Sequence, residues 1–215
     1  MTDQISTHDT EARNVSVAAT PDGTKVLVTN WCTWDLSVID TSTHTEVRRV
    51  DLQGRYPRGI AISDDSRTAY IALMGSDRMV AVDLQTWAVS GHSTPGDSPR
   101  HVVLSPDGAH LYVSNNRDGT VVKIDRTSGA IVGSVRTGDQ PRSLDISSDG
   151  EAIYVVNYKS STMSKVRTSD MSVMQTVPTD AMPIGIAYEP TAQRVWVACY
   201  GGRIIVFDDS RTLAG

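Results

Sequence analysis

The sequence predicts an all-β chain of five four-stranded sheets set around a ring, and three observations predict it. Four prolines, Pro57, Pro99, Pro141 and Pro183, stand 42 residues apart. An aromatic residue follows each by 13 positions: Tyr70, Tyr112, Tyr154 and Trp196. Between proline and aromatic lies a turn signal, Asp65-Ser66, Asp107-Gly108 or Asp149-Gly150, which the last copy replaces with Thr191-Ala192. A fixed period of this length marks a repeat architecture. An N-terminal copy keeps it loosely, with Pro21-Asp22-Gly23 leading to Lys25-Val-Leu-Val-Thr-Asn30.

Each unit reads as four consecutive strands. The innermost is Gly59-Ile-Ala-Ile-Ser63 and its equivalents, and the Asp-Gly type turn then supports a hairpin into Ala69-Tyr-Ile-Ala-Leu73 or Leu111-Tyr-Val-Ser-Asn115. A loop leads to Met79-Val-Ala-Val-Asp83 or Val121-Val-Lys-Ile-Asp125. The outermost strand is more polar (Val47-Arg-Arg-Val50, Val89-Ser-Gly-His92, Ile131-Val-Gly-Ser134), as an exposed sheet edge requires. No segment of helical period competes. Short strands repeated radially define a β-propeller. The expected blades are 8–52, 53–94, 95–136, 137–178 and 179–208, one domain over 1–215. The last unit supplies only three strands, and Thr2–Thr7 falls where a fourth is needed. The expectation is therefore a five-bladed ring closed by the N-terminal strand.

These units resemble the YVTN family of β-propeller repeats, whose unit runs approximately P-x-G-[IV]-A-[IV]-S-P-D-G-x-x-[LV]-Y-V-[TA]-N followed by V-x-V-I-D. The residues that carry the resemblance are Pro99-Arg-His-Val-Val-Leu-Ser-Pro-Asp-Gly108, Leu111-Tyr-Val-Ser-Asn115, Val122-Lys-Ile-Asp125, Tyr154-Val-Val-Asn157 and Ser37-Val-Ile-Asp40. Members are more often seven-bladed, and this chain is too short for that. Propellers similar to the family include lactone hydrolases and lyases that open cyclic substrates, so the resemblance implies a lyase, hydrolase or cyclase by analogy. Fold alone decides no function.

Composition excludes several classes. A net charge of −5 argues against nucleic acid, which needs a concentrated basic surface. No apolar run is long enough to cross a membrane as a helix. The polar start Met1-Thr-Asp-Gln-Ile-Ser lacks the features of a signal peptide, and Cys32 and Cys199 are too few for a disulfide framework. The expected location is cytoplasmic. Histidine spacing suggests no metal site, and no cofactor motif is present.

Propeller geometry brings two rings of side chains to one face. The first follows the prolines: Arg58, Arg100, Arg142 and, by looser alignment, Arg13, with Ile184 breaking the pattern. The second follows the second strand: Trp31, Met74, Asn116, Tyr158 and Tyr200. Converging guanidinium groups stay protonated and repel one another unless an anion answers them. Flat aromatic area beside them suits an organic anion, carboxylate or phosphate, with an apolar or aromatic body. The other reading turns these arginines outward to solvent or onto backbone carbonyls. Trp34 either extends a stacking wall or packs on the adjacent blade. Asp145 occupies a slot that is otherwise small, facing channel or neighbouring blade, as a hydrated residue or as a catalytic acid. His101, in the place of Gly59, is the best-placed imidazole for proton transfer, with Tyr158 a second candidate. The expected catalytic set is His101, Asp145 and Tyr158. The expected ligand set is Arg13, Arg58, Arg100, Arg142, Trp31, Trp34, Asn116 and Tyr200. A protein-interaction platform without catalysis is the alternative.

Overall fold

The computed structural model describes residues 14–210. It contains strands and turns only, in five antiparallel sheets. Blade 1 comprises β1 (Asn14–Ala19), β2 (Lys25–Asn30), β3 (Asp35–Asp40) and β4 (Thr45–Asp51). Blade 2 has β5 (Pro57–Ile62), β6 (Thr68–Leu73), β7 (Arg78–Asp83) and β8 (Val89–Ser93). Blade 3 has β9 (Pro99–Leu104), β10 (His110–Asn115), β11 (Thr120–Asp125) and β12 (Ile131–Arg136). Blade 4 has β13 (Pro141–Ile146), β14 (Ala152–Asn157), β15 (Thr162–Arg167) and β16 (Ser172–Pro178). Blade 5 has β17 (Pro183–Glu189), β18 (Arg194–Cys199) and β19 (Ile204–Asp208). Within every sheet the strands pair in chain order, so each blade is a meander.

The chain is thus an all-β propeller of five blades, with four strands in blades 1 to 4. The segment expected to supply the fourth strand of blade 5, residues 2–7, lies outside the described residues, as does Arg13.

The turns explain why the repeat keeps its punctuation. Ser105 Oγ donates to Asp107 Oδ1, which also accepts the Ala109 N–H at 2.9 Å, and Ser105 Oγ accepts from the His110 N–H at 2.9 Å. Ser63 with Asp65, Ser147 with Asp149 and Thr20 with Asp22 repeat the device. In blade 5 Glu189 takes the role, accepting from the Thr191 and Ala192 N–H groups. Aspartates closing the third strands (Asp40, Asp83, Asp125 and Asp208) accept N–H groups of the next turn.

The core lies between blades. Leu27, Leu36 and Val38 of blade 1 pack on Ala69, Ile71, Val80 and Val82 of blade 2. Tyr70 and Met79 then meet Val102, Leu111, Val113 and Val122 of blade 3, and equivalent clusters join blades 3 to 4 and 4 to 5. Each fully buried Leu, Ile or Val contributes about 1.5–3 kcal/mol, so the blades hold each other by serial apolar contact. The innermost strands run very close together. A Cβ at Gly59 would lie 2.8 Å from His101 Cα and Val102 N, so only glycine fits there. Among the described residues no such cluster joins blade 5 back to blade 1, so the ring closure expected above is not made by them.

Candidate anion-binding site

One backbone device, repeated in four blades, builds the site. The residue before each proline (Tyr56, Ser98, Gln140 and Met182) has a left-handed φ of 54–60°. Such a conformation is uncommon outside glycine and persists only where its surroundings hold it. Here it turns the carbonyl toward the loop after the second strand. The N–H of Met74 donates to Tyr56 O at 3.0 Å, Asn116 to Ser98 O at 2.9 Å, Tyr158 to Gln140 O at 3.0 Å, and Tyr200 to Met182 O at 3.1 Å. The backbone of each proline-arginine pair is thereby tied to the residue that follows a second strand.

Three guanidinium groups meet at this face. Arg58 lies over the Trp31 ring, 4.1 Å from its centroid, and Arg142 over Tyr158 at 3.5 Å. Arg100 sits within electrostatic reach of both, its Nη1 4.0 Å from Met74 Sδ. Burial, then repulsion by Arg58 and Arg142, lowers the Arg100 pKa to about 9. Arg58 falls to about 10 by burial and then by repulsion from Arg142. Among the described residues none of the three has a carboxylate partner, and the Nε atoms of Arg58 and Arg142 are buried without an acceptor. A partly buried charge with no counter-charge is costly, so the three cations are held against both desolvation and mutual repulsion.

Aromatic rings flank the cations on two sides. Trp31 stacks on Tyr56 at 4.5 Å between centroids, Trp34 meets the Tyr56 edge at 6.1 Å, and Arg55 lies 5.8 Å over Trp34. Opposite, Tyr158 and Tyr200 form an edge contact at 6.0 Å, and the Tyr158 hydroxyl donates to Met182 Sδ at 3.2 Å. Trp34, Tyr56 and Tyr200 are exposed, so flat apolar area faces solvent beside the charges. Asn116 is buried and donates from Nδ2 to Pro141 O at 3.3 Å, tying blade 3 to blade 4 under the arginines.

The structure therefore brings together Arg58, Arg100, Arg142, Trp31, Tyr158 and Tyr200, with Trp34 at the rim and Asn116 as a buried tie. His101 and Asp145 are placed differently. The His101 Nδ1 accepts the Leu144 N–H at 3.4 Å, and burial followed by Arg100 lowers its pKa to about 4. Asp145 faces blade 5, where it accepts the Tyr188 N–H at 2.7 Å and the Ile146 N–H at 2.8 Å. Burial raises its pKa against those two bonds. Cys32 is exposed, Cys199 is buried, and they do not pair. Met74 holds the place in the second ring that the sequence gives it, whereas Tyr56 and Met182 were missed by sequence reasoning, although their position, one residue before a proline, locates them.

Fold and geometry define the class: a β-propeller whose inner strands present a cationic, aromatic-walled site. The cytochrome d1 heme domain family model matches residues 92–207, over half of the 215-residue chain, and the chain belongs to that family. The comparisons give this family and a propeller, not the YVTN repeat family. Kuenenia stuttgartiensis hydrazine synthase superposes with a TM-score of 0.78 at 19% identity, over 97% of this chain and 69% of that one. At that identity the likeness shows the fold alone. No curated protein matches the sequence.

Proposed function

We propose that this chain is a small-molecule-binding propeller that takes an organic anion, carboxylate or phosphate, with a flat apolar body. One observation carries the reading: three partly buried guanidinium groups share a space with no acid among the described residues to neutralise them. The arginines hold the anionic group by charge-assisted hydrogen bonds, each stronger than a neutral one. Trp31, Tyr158 and Tyr200 supply area on which the body stacks.

The family's name carries a heme, and the side chains of this site can be tested against one. The arginines and rings suit the acidic groups and flat face of such a macrocycle. Its iron is not provided for by histidine or methionine here. His101 Nδ1 already accepts a backbone N–H, Met74 Sδ faces Arg100, and Met182 Sδ accepts from Tyr158. With those atoms engaged, no histidine or methionine of this site fits as a ligand to heme iron. Binding is thus the activity these contacts support. The lyase or hydrolase reading rests on resemblance, since Asp145 spends both carboxylate oxygens, and His101 its Nδ1, on neighbouring backbone.

A thermal-shift screen against organic acids and phosphate monoesters tests the proposal. Stabilisation by a planar anion, lost in the Arg100→Ala, Arg142→Ala double variant, is the expected result. Equal stabilisation of both proteins sinks it.

A further inference from the structure

The arginine site is lopsided, and that narrows what it binds. Arg58, Arg100 and Arg142 come from the inner strands of blades 2, 3 and 4, one from each. At the same repeat position blade 5 has Ile184, and the residue after its second strand is Tyr200. The Tyr200 hydroxyl lies within electrostatic reach of both Arg58 and Arg100. Cations therefore stand on three consecutive blades, with an aliphatic side chain and a phenol on the blade that follows.

The donors of this site outnumber the acceptors a carboxylate can offer. Arg58 and Arg142 sit over the Trp31 and Tyr158 rings, so one side of each guanidinium is taken and their N–H groups need acceptors elsewhere. Among the described residues their Nε atoms have none, and the one hydrogen-bond contact of the Arg100 guanidinium is Met74 Sδ. A carboxylate brings two oxygens and a single charge, which leaves a third cation unanswered. A phosphate monoester brings three terminal oxygens in a tripod and a charge of about −1.5 to −2 at neutral pH. The planar fork of arginine matches that group, so each of the three cations can take one oxygen.

The tripod also sets a direction. With three oxygens turned to blades 2, 3 and 4, the ester oxygen points to the side where Ile184 and Tyr200 stand. Tyr200 meets Tyr158 in an edge contact and is 62% exposed, so ring area stays open beside the cations. An apolar or aromatic ester group has a surface to stack on there.

We infer that the site selects phosphate monoesters, with the phosphate held by Arg58, Arg100 and Arg142 and the ester group laid against Tyr200 and Ile184. The inference rests on the anion-site reading above and narrows it to one ligand class.

Titration calorimetry of the full chain with phenyl phosphate, phenyl sulfate, benzoate and phthalate tests this. Phenyl phosphate should bind at least about tenfold more tightly than the other three at neutral pH, since it alone brings three oxygens and a second charge. Its affinity should rise about tenfold between about pH 5 and pH 7, because its second ionisation lies near pH 6, whereas that of phenyl sulfate stays level. His101 does not blur the comparison, since its pKa is held at about 4 by burial and then by Arg100. Tyr200→Ala should weaken phenyl phosphate about tenfold and leave inorganic phosphate unchanged, which also shows that the variant folds. Benzoate or phthalate binding as tightly as phenyl phosphate, or phenyl sulfate matching it at every pH, overturns the ligand class while the anion site stands. Equal losses for phenyl phosphate and inorganic phosphate in the variant, or no loss of either, overturn the placement against Tyr200. Binding of none of the four anions removes the anion site itself, and this inference with it.

Discussion

Replacing Arg100 by methionine should make the ligand-free protein more stable and the liganded one weaker. Arg100 is the middle member of three cations, and burial, then repulsion by Arg58 and Arg142, lowers its pKa from the ordinary guanidinium range to about 9. At about 1.4 kcal/mol per pH unit, that fall bounds the penalty on the charged form at about 5 kcal/mol. Solvent reaching the exposed part of the group and relaxation around it reduce the net penalty to about 1–3 kcal/mol. Methionine keeps the unbranched apolar stem and its contact with Met74 while removing the charge. For a chain of this size the melting midpoint should rise by roughly 3–8 °C without ligand. Folded and unfolded states both keep the guanidinium protonated, so the folded state carries the cost of a charge that is buried and then crowded by Arg58 and Arg142, and the difference between the two proteins persists across neutral pH. The same variant loses a charge-assisted bond to the ligand worth about 1.5–3 kcal/mol, a 10- to 100-fold loss of affinity. Differential scanning calorimetry and titration calorimetry on one pair of proteins read both effects. A midpoint that drops in Arg100→Met would refute the reasoning, because it would mean that the arginine is held by partners and not strained for a ligand.

Three further outcomes follow from the neighbouring contacts. His101→Gln should flatten the acid limb of stability: the wild-type ring stays neutral when folded down to about pH 4 but protonates at about 6.5 when unfolded, so stability is complete above that value and declines as pH falls toward 4. Urea midpoints at pH 7 and pH 4.5 check it, and an unchanged slope in the variant counts against it. Asp145→Ala strips the acceptor from the Tyr188 and Ile146 N–H groups and should cost about 1–3 kcal/mol, with ligand affinity unchanged. Tyr154→Phe removes the hydroxyl bonded to Asp209 but leaves the Lys165 ion pair, so a loss of about 1 kcal/mol by urea unfolding is expected.

The repeat was legible because its causes are local. A proline every 42 residues, a Ser-x-Asp hairpin closure and an aromatic on the second strand each do one job in the blades that carry them, so their spacing recurs in the chain. The arginine ring was legible for the same reason, since Arg58, Arg100 and Arg142 occupy one repeat position. What surrounds them was not. Tyr56 joins the aromatic wall because the backbone before Pro57 turns left-handed, and no side-chain pattern announces that. Asp145 stood out in sequence as a misplaced acid. Its partner is the backbone N–H of Tyr188 in the adjacent blade, and a backbone group offers no residue type to search for.

Side-chain NMR of the arginines gives the most direct test of the central claim. With Arg58→Lys, Arg100→Lys and Arg142→Lys used for assignment, the guanidinium Nε–H and Cζ resonances are followed during titration with a planar aromatic dicarboxylate. All three residues are predicted to shift together along one saturable curve while Arg117 and Arg203, which pair with Asp97 and Asp180, stay still. Resonances of the three that do not move, or that drift linearly in step with the surface arginines, would contradict a shared anion site.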